Sequence, residues 1–266
     1  MKIKRLENWK QGAESSLARR ARTQYSVLVH SNINASMANS SALLKTLLIP
    51  LSVAIQWKCV TLGLQNTPLK KDAVVQHEGV LAPYFVRFIP FFVRWVCIAA
   101  AAYELAVIYL YPSSLILERI CLAPSFDPTA FNTATAIGLP LSIIGGLLRL
   151  QSTLTLGPYF TFPLAIRKDH KLITSGPYSI VRHPGYSSGL VQLLAWAVWQ
   201  AGGVVGQCMP KDLKWLVWVI IGMHLTLVGG MVVRIGREEV TLGEHFGKEW
   251  EAYCKRVPYK LFPGVV

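Results

Sequence analysis

The stretch from Arg167 to Tyr186 reads RKDHKLITSGPYSIVRHPGY and gathers side chains with usable chemistry: His170, Thr174, Ser175, Tyr178, Arg182, His183 and Tyr186. Gly176-Pro177 and Pro184-Gly185 punctuate it as turns. Pro184 suits the first position of a helix, where its missing N–H costs nothing. The N–H groups left free at such a helix start favour an anionic ligand group. Tyr178 and Tyr186 offer flat faces for an adenine-like ring. Taken alone, the stretch reads equally well as a loop with interfacial aromatics. A second cluster, RIGREEVTLGEHFGKEWEAYCKRVPYKLFPG, runs from Arg234 to Gly264. Arg234 and Glu238 are four apart and share one helix face. Leu242, Phe246, Trp250, Tyr253 and Val257 recur at helical spacing, with Gly247 as a break, which predicts an amphipathic helix lying on the membrane.

The elements that must position these clusters are apolar. The 266-residue chain is 52% hydrophobic and only 15% charged, where a soluble domain carries about 25% charged residues. Five runs are long enough for the roughly 20 apolar residues that a spanning helix needs. They extend over Leu43–Leu64, Tyr84–Tyr111, Phe131–Leu148, Gly185–Met209 and Leu213–Val233. The second holds Arg87, Arg94 and Glu104, so it tilts, breaks near Pro90, or turns its charges toward protein. The fold class is all-α: a polytopic transmembrane helix bundle of about five spans, with a polar loop and a C-terminal amphipathic helix at one face. Cys59, Cys97, Cys121, Cys208 and Cys254 are odd in number and scattered, which predicts neither a metal site nor a disulfide framework.

The formal net charge of +13 would raise nucleic acid as a partner for a soluble protein. Here the basic residues flank apolar runs, so the positive-inside rule accounts for them without nucleic acid. Arg149, Arg167, Lys168, Lys171 and Arg182 lie between the third and fourth spans. Arg234, Arg237, Lys248, Lys255, Arg256 and Lys260 follow the fifth. Both segments are therefore expected in the cytosol, and the fourth and fifth spans form a hairpin turning on the lumenal side. That hairpin brings Arg234 and Glu238 beside His183 and Tyr186 at one membrane face, where ionisable groups are functional candidates. Five spans leave the basic N-terminus lumenal, against the rule. Either the first run does not span, or the working protein starts at Met37. N-terminal sequencing decides, and residues 1–36 found intact would exclude the second explanation.

The segment HKLITSGPYSIVRHPGY, an apolar hairpin, and then Arg234, Glu238, Glu239, Leu242, Phe246, Gly247, Tyr253, Val257 and Pro258 together resemble the isoprenylcysteine carboxyl methyltransferase family. IIGGLLRLQSTLTLG also fits the span that precedes this pattern in the family. The resemblance covers roughly residues 140–262. It implies a cytosol-facing enzyme of the endoplasmic reticulum membrane that uses S-adenosyl-L-methionine. Its substrate would be the C-terminal carboxylate of a prenylated cysteine, so its partners are prenylated protein C-termini and membrane lipid.

By the same resemblance, His170, Lys171, Leu172 and Ile173 form a strip that binds the cofactor through its backbone. Tyr178 packs on the adenosine. His183, Pro184, Gly185 and Tyr186 cradle the amino-acid end, Glu238 accepts from amino or hydroxyl groups, and Arg234 orients the substrate carboxylate. Some members carry a polar cofactor contact where this chain has Pro163. The chain is expected to divide into a polar, disordered segment over residues 1–40, two spans over 41–130, and a methyltransferase core with three spans over 131–266. A carboxylate is already ionised at neutral pH, so no general base is required and none is evident. Methylation of a phospholipid amine, sterol reduction with a nicotinamide cofactor, and a non-catalytic membrane scaffold are the competing readings.

Overall fold

A computed structural model describes residues 38–63, 65, 73–76, 82–111, 115, 117, 121, 126–160, 165–167, 169–213 and 215–265. The expectations for the N-terminal segment, Met37 and Pro163 lie outside these residues. The chain divides into two compact units, Met1–Lys45 and Thr46–Val266. Of the first, only helical residues 38–45 are described. The polar clusters and the helices that carry them belong to the second.

Five helices are long and apolar enough to cross a membrane, so this is a multi-pass membrane protein. We label the helices α1 (Ala38–Gly63), α2 (Ala82–Leu110), α3 (Thr133–Leu156), α4 (Pro184–Gly202), the short α5 (Val204–Gln207), α6 (Trp215–Phe246) and α7 (Lys248–Arg256). The second span does not break, since α2 runs through Pro90. Its Arg94 turns toward α1, with the guanidinium 3.8 Å from the Trp57 ring centroid and Nη2 donating to Thr61 Oγ1 at 3.0 Å. A strand pair, β1 (Ala73–Gln76) with β2 (Ala165–Arg167), lies antiparallel outside the helices. Strands of three and four residues are too short to show an alternating pattern in sequence.

The α3–α4 pair is the packing centre. Asn132 caps α3 by accepting from the Thr135 N–H at 2.9 Å, which satisfies one of the N–H groups that a helix start leaves without a partner. The helices then meet backbone to backbone: a Cβ on Gly138 would lie 2.7 Å from Ala195 O, and one on Gly145 would lie 2.8 Å from Gln192 N. Small residues at such seams allow the van der Waals approach that drives helix association in lipid. On the other side of α3, Ser52 and Ser142 hydroxyls meet at 3.1 Å. Helix α6 leans on α4 through His224 stacked on Trp196, centroids 4.8 Å apart. Its remaining surface exposes Trp218, Val219, Leu225, Val232 and Val233, as suits a helix wetted by lipid tails.

Two findings correct the sequence reading. Cys121 and Cys208 form a disulfide across 87 residues, a separation that no spacing rule detects. And the apolar stripe of α7 faces protein rather than membrane. Trp250, Tyr253 and Val257 are buried and pack with Leu172, Leu242 and Phe246. Periodicity reveals an apolar face but not which neighbour covers it. The predicted break is present: Gly247 adopts φ 48° between α6 and α7, a region that glycine enters without a Cβ penalty.

Candidate active site

The polar stretch that leads into α4 folds as an irregular strip over residues 170–175, a 3-10 turn and a helix start. The turn, Gly176–Ser179, opens on Gly176 at φ 59°, and Tyr178 N–H closes it on Ser175 O at 3.2 Å. Tyr178 is thereby buried, with its hydroxyl 3.5 Å from Ser152 O and its own carbonyl accepting from Tyr253 Oη at 2.7 Å. Burial, with the Glu238 carboxylate nearby, holds the Tyr178 hydroxyl well above its ordinary pKa. Burial likewise pushes Tyr253 up to about 12. Both phenols stay protonated and serve as donors. Pro184 then starts α4 as expected, and His183 O accepts from the N–H groups of Tyr186 and Ser187 at 3.0 and 3.1 Å.

The last helices complete the wall. Arg234 Nε donates to Tyr186 Oη at 2.8 Å, and Tyr186 Oη donates to Glu238 Oε2 at 2.6 Å. One hydroxyl thus ties a cation and an anion of α6 to the first turn of α4. His183 Nδ1 lies 3.8 Å from Glu238 Oε1, and its Nε2 lies 3.4 Å from Glu239 Oε1. Glu239 also accepts from Arg182 Nε at 2.8 Å and pairs with Lys260 Nζ at 2.7 Å. Arg182 Nη1 reaches Val257 O at 2.9 Å and Pro258 O at 2.7 Å. The backbone N–H groups of Arg182 and His183 donate to Tyr259 O and Lys260 O, both at 2.9 Å, and Ser187 Oγ bonds Leu261 O. The C-terminal stretch of chain is therefore strapped along the back of the RHPGY turn. Removing one partner from an ion pair sheltered in this way costs more than removing one at the surface.

These elements enclose a cavity of about 510 Å³. His170, Lys171, Leu172, Ile173, Tyr178, His183, Gly185, Tyr186, Glu238 and Arg234 all line it. Pro184 is the exception, a buried helix-start residue that is not part of the wall. The cavity continues among the spans, past Val60 of α1, Val93 of α2, Leu193 of α4, and Leu227 and Met231 of α6. It has a polar end made by the loop and an apolar end at the depth of the helices. Tyr178 and Tyr186 differ in use: the Tyr186 hydroxyl is a polar link as much as its ring is a surface.

Sequence reasoning missed several wall residues, among them Tyr159, Gln56 and Arg149. Tyr159 stacks on His170, centroids 4.7 Å apart at 28°, and forms an aromatic slot. Gln56 lines the cavity and has a buried Oε1 with no hydrogen-bond partner among the described residues. Arg149 lies on α3. The apolar run ends at Leu148, whereas the helix continues to Leu156, so an arginine that reads as a loop residue is carried on a spanning helix. That placement is the signal by which it could have been found.

The architecture defines a polytopic membrane protein whose last helical hairpin and polar flanks close one end of a mixed polar–apolar ligand cavity. Within it, residues 136–244 match the model of the isoprenylcysteine carboxyl methyltransferase (ICMT) family. A rice protein named a probable protein-S-isoprenylcysteine O-methyltransferase (Oryza sativa subsp. japonica) is 35% identical over 123 residues, 46% of this chain and 57% of that protein. Protein-S-isoprenylcysteine O-methyltransferase B of Arabidopsis thaliana is 34% identical over 46% of this chain and 55% of its own. A Delta(14)-sterol reductase of Mus musculus is 32% identical over 40% of this chain, but only 22% of that protein. The chain thus spans about half the length of the methyltransferase relatives that it matches.

Proposed function

We propose that this protein esterifies the C-terminal carboxylate of prenylated cysteines with the methyl group of S-adenosyl-L-methionine, at the cytosolic face of the endoplasmic reticulum membrane. The observation that carries the reading is the continuity of the cavity: one space joins charged groups at the loop to apolar groups among the spans. A prenylated cysteine has the same division, a carboxylate at one end and a hydrocarbon at the other. The residues also suit the cofactor. Glu238 offers a carboxylate for amino or hydroxyl groups, Tyr159 and His170 present a stacked aromatic wall, and the irregular strip His170–Ile173 along the cavity offers backbone donors and acceptors. When bound, S-adenosyl-L-methionine supplies an electrophilic methyl on a sulfonium sulfur. The chain's part is to hold the carboxylate through Arg234, fix Arg234 and Glu238 through Tyr186, and keep bulk water out. A nucleophile already ionised at neutral pH needs no proton removed.

Orientation has its own support. Cys208 lies beyond the far end of α4, a helix of 19 residues and so about 28 Å long. Disulfides persist in oxidising compartments, so Cys121–Cys208 favours a lumenal side opposite the site. A tag appended after Val266 is expected to be digested by protease added to sealed microsomes, and a protected tag would overturn this orientation.

For the reaction, purified protein in detergent is given labelled S-adenosyl-L-methionine and N-acetyl-S-farnesylcysteine. Base-labile methyl ester is the expected product. Cofactor binding without ester would instead favour methylation of a lipid amine. Binding of neither would favour a scaffold. Similarity to a sterol reductase does not choose the chemistry, because related folds carry different reactions.

A further inference from the structure

A stacked pair of rings closes the apolar end of the cavity. Among the described residues, the wall reaches as deep as Leu193 on α4 and Thr226 and Leu227 on α6. One turn further along these faces stand Trp196 and His224, since residues three or four apart on a helix share a face. Neither lines the space, and both are buried, at 6% and 1% exposure. Their rings lie 13° from parallel with centroids 4.8 Å apart. His224 Nδ1 sits 2.7 Å from Ile220 O, which fixes its ring across the end of the space. On the other side, one turn beyond Gln56 of α1, the Ser52 hydroxyl meets Ser142 of α3 at 3.1 Å. The α4–α6 pair and the α1–α3 pair thus both close beyond the wall residues that they carry.

That closure gives the apolar end a length. Arg234 and His224 stand on the same helix, α6, and their separation in sequence amounts to about 15 Å at 1.5 Å per residue. With C–C bonds of about 1.5 Å, three isoprene units in extended form span a comparable length, and a fourth exceeds it. A chain that overruns the end must displace a buried ring from its stack, and close-packed interiors resist added volume.

We propose that the His224–Trp196 stack is the floor of the space that takes the prenyl chain, and that it sets the longest isoprenoid the cavity admits, so that farnesyl is preferred to geranylgeranyl. This rests on the proposed prenylcysteine esterification, which is what places a hydrocarbon chain there. The stack acts by shape at the far end of the chain and takes no part in methyl transfer.

The test measures kcat/KM of the purified full chain, with S-adenosyl-L-methionine, for N-acetylcysteine carrying geranyl, farnesyl or geranylgeranyl on its sulfur. Wild type is expected to favour farnesyl over geranylgeranyl at least ~10-fold, the lower end of what an apolar pocket achieves between chains of different length. His224→Ala vacates a ring-sized space at the floor and is expected to bring the two within ~3-fold of each other, chiefly through a lower KM for geranylgeranyl. His224→Phe keeps a flat ring in place and is expected to keep the wild-type preference, which separates shape from polarity. Leu227→Phe, one turn nearer the polar end, raises the floor and is expected to move the preference toward geranyl. It keeps the test decisive if melting in detergent shows that His224→Ala does not fold. Detergent takes up the longer chains more strongly, but equally for every variant, so the comparison between variants is free of it. Equal values for farnesyl and geranylgeranyl in wild type, or a preference that His224→Ala and Leu227→Phe leave unchanged, would overturn the inference while the proposed function stands, the chain then leaving sideways into lipid. Ester formation from none of the three would overturn the proposed function, and the inference with it.

Discussion

Arg234→Ala and Glu238→Ala are each expected to lower kcat/KM for prenylcysteine esterification by at least ~100-fold, the usual scale for removing one preorganised electrostatic group. Both proteins should still insert and purify. The size of the effect follows from the shared hydroxyl. Tyr186 Oη accepts from Arg234 at 2.8 Å and donates to Glu238 at 2.6 Å, so neither charge is positioned alone. In a cavity of low dielectric such chains reinforce one another, and a half-satisfied chain leaves its remaining charge uncompensated. Glu238→Gln separates two contributions, since it keeps the acceptor oxygen and loses the charge. Steady-state kinetics with each substrate varied in turn will show which ligand each residue serves. Full activity in either alanine variant would remove these residues from the site.

The second large effect is expected in stability, at Arg182→Ala. Arg182 is 9% exposed and its side chain bonds Glu239 at 2.8 Å, Val257 O at 2.9 Å and Pro258 O at 2.7 Å. Its loss frees two carbonyls of the C-terminal strap and leaves Glu239 with Lys260 and His183. Breaking a sheltered pair from one side typically costs about 3–5 kcal/mol. We expect a clearly lower melting temperature in detergent and faster proteolysis between Val257 and Leu261. Arg182→Met with Glu239→Leu should be milder than Arg182→Ala, because no charge is then stranded. An unchanged melting temperature with an uncut tail would show that the strap is held by other contacts.

Both results bear on how the site is built. Arg234 and Glu238 touch the cavity, whereas Glu239, one residue along α6, turns to the strap instead. Adjacent residues on a helix point about 100° apart, so one acid faces the cavity and the other the strap. The family resemblance assigns Glu238 to the ligand and leaves Glu239 without a task, since an acid pair in sequence does not say which member faces which neighbour.

Some of this protein is legible in one dimension because the physics responsible is local or concerns solvent. Apolar runs near 20 residues mark spans in any tertiary setting, and the five helices fall where those runs are. Pro184 at a helix start and Gly247 at a helix break follow from backbone sterics. Arg234 and Glu238 meet Tyr186 because an i,i+4 face and a hairpin turn together leave little freedom.

Other features needed the packed molecule. The Cys121–Cys208 bond joins residues 87 apart. Arg149 passes α4 only because Gly189 leaves room for its guanidinium. The stripe of Trp250, Tyr253 and Val257 is an apolar face in sequence, and in the fold it packs against Leu172 rather than anchoring in the membrane. Periodicity and hydropathy measure a residue against water or lipid. Which protein surface covers a face, and which charge answers a charge, depends on contacts between distant segments, and those are decided only when the helices pack.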